Sequence, residues 1–304
     1  LLTSPPKYGK SWLVLDLCLA VAQGASFLGH ETHACGCLYL ALEDSPRRLK
    51  SRMKKLLAGR PAPAGLVFKT TAPDLSNGLL DILERHMEQY PDTGIIAIDT
   101  LQMVRGQARK TESAYQYDYR EMRTLKAFAD RHGILLLLVH HLRKAGDDTD
   151  PHNRISGTNG ILGAADTSLV LTKARKADAT ATLSVTGRDV ESSDTVVEFD
   201  KDTCRWKPLG ALEWVREQEA LQEYQESPIV KTIKALLEQN GGKWRGAMSD
   251  LMEAGRDIAG VNLAESPRSL TGKVKDLESR LFEHDGIAHT RPKNGGRGGG
   301  PQIF

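Results

Sequence analysis

Near its start the chain carries Ser4-Pro5-Pro6-Lys7-Tyr8-Gly9-Lys10-Ser11, which fits G-x-x-x-x-G-K-[ST] at every position except the first, where serine stands for glycine. Each remaining position has a physical duty. Gly9 lets backbone amides approach phosphate oxygens, Lys10 reaches the β and γ oxygens, and Ser11 offers a hydroxyl to Mg²⁺ at a helix N-terminus. The motif needs a buried helix behind it. Residues 12–22 supply one, since Leu13, Leu15, Leu17, Leu19 and Val21 among alanines make the segment apolar nearly all round as far as Gly24. ATP with Mg²⁺ is the expected ligand pair, held by Ser4 to Trp12. Only Leu1 and Leu2 precede the loop, where a full buried strand is usual, so a truncated N-terminus is expected.

The rest of the chain alternates. Apolar runs at 37–42, 94–99 and 134–140 are separated by helical patterns at 45–57, 79–90 and 119–132, which predicts an α/β core with a mostly parallel sheet covered on both faces. After Asp166, runs at 168–172, 181–186 and 195–200 follow one another without helices and are expected to extend the sheet antiparallel. The Glu- and Gln-rich stretch 210–227 reads as a charged helical linker, with the core occupying 1–209. From Pro228 three amphipathic stripes appear: Ile229, Ile233, Leu236 and Leu237; Met248, Leu251 and Met252; Leu270, Val274, Leu277 and Leu281. Residues 286–290 and 302–304 are expected to pair across an Arg- and Gly-rich turn, giving 228–304 a winged-helix plan.

Composition narrows the classes. With 304 residues, 40% of them apolar, the chain can bury two cores, and a net charge of +2 means that any nucleic-acid affinity must come from local patches. Four cysteines, Cys18, Cys35, Cys37 and Cys204, are too irregular for a disulfide framework and suit the cytoplasm. His30, His33, Cys35 and Cys37 match no closed zinc pattern. No apolar run has the length of a membrane span.

Strand ends nominate the chemistry. Asp99 closes an apolar run and is expected, with Ser11, to hold Mg²⁺. Thr100 follows it and supplies no acid, so the water-orienting base is sought at Glu43, against the alternative that Glu43 and Asp44 only cap the next helix. Of the tandem histidines ending the third run, His140 is taken as a sensor of the γ-phosphate, and Arg188, in the turn TGRD, as an arginine finger or a plain surface arginine. Two long polar stretches, 106–118 and 143–157, are expected as loops that touch DNA. The first offers Tyr115 and Tyr117 for base stacking; the second offers Arg143, Lys144 and Arg154, with His152 and Asn153, for phosphates. The third C-terminal helix, bearing Arg268, Lys273, Lys275 and Arg280, and the wing, with Arg291, Lys293 and Arg297, form a further basic surface suited to DNA or to a protein partner.

Taken together, the PPKxGKS loop, the strand ending LALED, the run IIAIDT, the segment LLLLVHHLRK and TGRD after a late strand resemble the RepA-like branch of RecA-fold ATPases, the hexameric replicative helicases of plasmids and phages. The resemblance covers about residues 1–207 and implies a RecA-like P-loop NTPase core. It implies Glu43 as catalytic base, His140 as the strand-end histidine, and a homo-hexameric ring in which Arg188 completes the next subunit's site while single-stranded DNA threads the channel. The alternative from another class is a DNA-bound regulator or recombination mediator that uses ATP as a switch without unwinding; a small-molecule P-loop kinase is a third.

Overall fold

The computed structural model describes residues 1–142, 151–155, 159–290 and 302–304. They divide into two compact units, Leu1–Leu212 and Glu213–Phe304.

The first unit runs β1 (Leu2–Ser4), α1 (Lys10–Gln23), β2 (Gly36–Ala41), α2 (Pro46–Leu57), β3 (Leu66–Lys69), α3 (Leu79–Gln89), β4 (Thr93–Asp99), α4 (Ala114–His132), β5 (Leu135–His141), α5 (Asn159–Ala164), β6 (Thr167–Thr172), β7 (Thr180–Gly187), β8 (Ser193–Asp200) and β9 (Arg205–Ala211). Its nine-stranded sheet has the order β3-β2-β4-β5-β1-β6-β7-β8-β9, parallel through β6 and antiparallel beyond it. Strand alternation splits the core into two layers. Cys37, Tyr39, Ile95, Ala97, Leu137 and Val139 pack with α1 and α2, while Leu38, Leu40, Ile96, Ile98 and Leu138 pack with α3 and α4. All parallel strand ends of β1, β2, β4 and β5 therefore gather at one edge, where the motif loop emerges.

Capping fixes the helix limits. α1 stops at Gly24, whose φ of 61° suits glycine. α2 starts at Ser45, whose side chain accepts from Arg48 N, with Pro46 at the first helical position. α4 begins five residues before the helix expected from sequence, because Ser113 and Gln116 close a reciprocal capping box. The last part of the expected loop 106–118, from Ala114 on, is thus helical. β3 and β9 were not foreseen either, and both are edge strands.

The second unit, with its own core, begins in α6 (Leu212–Glu226) and continues with α7 (Pro228–Gln239), β10 (Arg245–Gly246), α8 (Met248–Ala259), α9 (Pro267–Asp285) and β11 (Gln302–Ile303). The three expected stripes bury Ile229, Ile233, Met248, Leu251, Leu270, Val274 and Leu281 in that core. The last strand pairs with β10: Arg245 is in register with Ile303, and Trp244 and Phe304 exchange backbone hydrogen bonds. Phe304 is buried against Trp244 and His289, which anchors this pairing. No helix among the described residues is long and apolar enough to cross a membrane.

Candidate nucleotide site

From β1 the chain turns through Lys7 (φ 69°) and Gly9 (φ 97°) into α1. Glycine is required at position 9 twice over. Its φ lies in the left-handed region, and a Cβ there would stand 2.9 Å from the Trp206 ring. Trp206, on β9, donates Nε1–H to the Gly9 carbonyl at 3.4 Å, the same oxygen that accepts from Trp12 N and Leu13 N at 3.1 Å. No side chain caps the α1 N-terminus, so its first amides, the helix dipole and the loop amides face one spot suited to an anion.

Lys10 is buried, and its Nζ donates to Ser4 O at 2.7 Å, Ser4 Oγ at 3.0 Å and Pro5 O at 3.3 Å. The serine that departs from the motif thus contributes a hydroxyl acceptor that glycine lacks. Burial pushes the ammonium down to about 8, against the pull of the Asp99 and Glu43 charges.

Asp99 ends β4 in a buried position and accepts from Tyr39 OH at 2.8 Å. Burial raises its carboxyl; hydrogen bonds from Ser11 and Tyr39 lower it, the Glu43 charge raises it and Lys10 lowers it. Glu43 lies just beyond β2, its Oε1 accepting from Thr100 Oγ1 at 3.1 Å and standing 3.7 Å from His141 Nε2. Asp44 pairs instead with Arg48 and Arg52, so the two neighbouring acids divide between helix and site.

Alternation decides which tandem histidine joins them. Asp99 is in register with Val139, so His141 shares the α1 face while His140 is buried toward the other layer. His141 Nδ1 is 3.5 Å from Lys10 Nζ. His141 is the histidine whose contacts reach Lys10 and Glu43, while the sequence expectation was His140. The parity was readable: 95, 97 and 99 on one strand face 135, 137 and 139 on the next, and 141 continues the same alternation.

Residues 1–147 match the AAA domain family. Over that stretch, just under half of the chain, the N-terminal unit is similar to AAA domains. Similar solved structures include an ATPase domain, at 14% identity and a TM-score of 0.54 over 68% of this chain and 83% of that one. A DnaB-like replicative helicase, solved for its interactions with primase, is similar at 14% identity and a TM-score of 0.53; this chain covers 68% of its own length and 57% of that helicase. No curated protein matches.

The remaining expected residues are scattered relative to this cluster. Pro5, Pro6 and Tyr8 lie in the loop itself, and Trp12 sits on α1 beneath Arg52 at 5.2 Å. Arg188 follows β7, whose end pairs with the start of β6, so it occupies the sheet edge opposite the loop. There its guanidinium contacts Asp166 at 3.3 Å and donates to Gly163 O at 2.8 Å. His152 is turned inward, sharing a hydrogen bond of 2.7 Å with Ser168 Oγ. Arg154 ends a short 3-10 turn and is half-buried. Arg143 and Lys144 lie outside the described residues, as do Arg291, Lys293 and Arg297. On α9, Arg268, Lys273 and Lys275 are exposed near the N-terminal half and Arg280 is half-buried, while Asp276 and Glu283 interrupt the basic face. Tyr117, expected to stack on bases, donates to Gly106 O at 2.7 Å beneath Arg105 and so holds the loop. Sequence reasoning did not find Tyr39, Thr100 or Trp206, whose importance arises from contacts between distant segments.

Proposed function

We propose that the chain is an ATP- and Mg²⁺-dependent ATPase that translocates on DNA, assembled as a homo-oligomeric ring of the replicative-helicase kind. The observation that carries this reading is the convergence of Lys10, Ser11, Asp99 and Glu43 at one sheet edge, with Glu43 held by Thr100 and flanked by His141. A hydroxyl and a carboxylate are hard oxygen donors of the sort Mg²⁺ takes, which makes Ser11 and Asp99 its holders. When bound, the ion neutralises charge on the β and γ oxygens. The chain does the rest. Lys10 and the α1 amides grip the phosphates, Glu43 orients and deprotonates water, and His141 senses whether the γ-phosphate is present. Arg188, far from its own loop, is assigned to the site of the next subunit.

DNA is assigned to the basic stretch after β5 and to the C-terminal unit, whose α7-β10-α8-α9-β11 order supports a winged-helix reading. Glu43→Gln should bind ATP normally and lose magnesium-dependent phosphate release by about 10²-fold or more. Normal turnover would remove Glu43 from the role. Displacement of a strand from a forked duplex then separates motor from switch: hydrolysis stimulated by single strands without displacement would favour the regulator.

A further inference from the structure

Helix α4 carries a strip that the nucleotide chemistry does not use. Tyr115, Tyr119 and Arg123 recur every four residues and so share one helix face. The two rings are nearly parallel, 11° apart with centroids separated by 6.1 Å, and they are 52% and 42% exposed. Single exposed tyrosines are ordinary, but two near-parallel stacked rings beside a groove offer an aromatic face to a further ring. That groove, about 490 Å³, is floored by Leu80 and Phe128 and rimmed by Arg120, Arg123 and Arg131, with Glu84 as its acid. Arg131 pairs with Glu84 and Arg120 with Glu112, each at 2.7 Å. Among the described residues no carboxylate lies within ion-pair distance of the exposed Arg123.

We infer that this strip is a stacking site for single-stranded nucleic acid. A base lies on the Tyr115–Tyr119 platform while the adjacent phosphate meets Arg123, a mode that reads no sequence because every base offers a π-face. Charge argues for this occupant: the rim carries more cations than acids and Arg123 has no counter-charge among the described residues, which suits a polyanion. The inference rests on the DNA reading above for its choice of polymer and adds a contact outside the loop after β5 and the C-terminal unit.

The test is the anisotropy of fluorescein-labelled oligothymidylate with the full chain, without nucleotide and at fixed low salt. Tyr115→Ala with Tyr119→Ala should weaken binding by about tenfold or more, whereas the paired Phe variants should retain it, since stacking uses the ring and not the hydroxyl. Arg123→Ala should lower affinity and reduce its salt dependence. Wild-type affinity in the double alanine variant overturns the inference, as does a wild-type chain that binds no oligonucleotide. A changed sedimentation coefficient with affinity intact would make the strip a contact between copies and equally overturn it. Should the double variant melt early, the Arg123→Ala salt response decides alone. A chain that releases no phosphate yet shows the tyrosine dependence sinks the ATPase reading and leaves this one standing; active hydrolysis with no tyrosine dependence does the reverse.

Discussion

At Lys10, burial and function pull in opposite directions. The folded protein releases this proton near pH 8, whereas the unfolded chain holds it to 10.5. Between those values the unfolded state binds more protons, so Lys10 makes stability rise with pH across that window. The phosphate grip runs the other way, because it needs the ammonium. Nucleotide affinity should therefore fall as pH passes about 8, and a binding titration on either side of that value checks it; Lys10→Met should bind weakly at every pH. Most of the charged members of this cluster were legible in the sequence, since P-loop chemistry tolerates few residue types and Asp99 and Glu43 end apolar runs. The histidine whose contacts reach the cluster lies one position beyond the one expected from sequence, as the register against β4 explains. Trp206 had no signal at all: it lies 197 residues from the carbonyl it holds.

Among the elements, the strongly periodic ones were read to within a few residues, and the failures share causes. β3 is short and half-buried along its length, while β9 contains Pro208 and pairs across a bulge at Val196 and Val197. These are the two edges of the sheet, where one side lacks a partner and a proline costs no ladder bond, so neither keeps the unbroken apolar run of a central strand. The early start of α4 was hidden by its polar, tyrosine-rich first turns, although Ser113 and Gln116 spell a capping box. Ser113→Ala should cost about 1 kcal/mol, read as a shift in the urea midpoint. An unchanged midpoint would mean that the ties from Arg105 to Asp118 and Glu121 hold the helix start by themselves.

Considered as a whole, the molecule keeps two separate cores. Tyr224, Ile233, Leu251, Leu270, Val274 and Phe304 bury one another within the C-terminal unit. Residues 213–304 should accordingly melt cooperatively when expressed alone, and a featureless thermal trace would refute their independence. The first unit holds its arginine and its phosphate loop at opposite sheet edges. If neighbouring copies share sites, Arg188→Ala and Glu43→Gln proteins should each be inactive alone and regain partial turnover when mixed, because some interfaces then carry both intact groups. The Trp206 contact has a practical corollary for dissection. The family match ends at residue 147, but the indole that braces Gly9 arrives only on the last strand of the sheet. A fragment trimmed to the matched region would leave its phosphate loop unsupported on one side, so the shortest piece worth purifying for nucleotide work extends through Ala211.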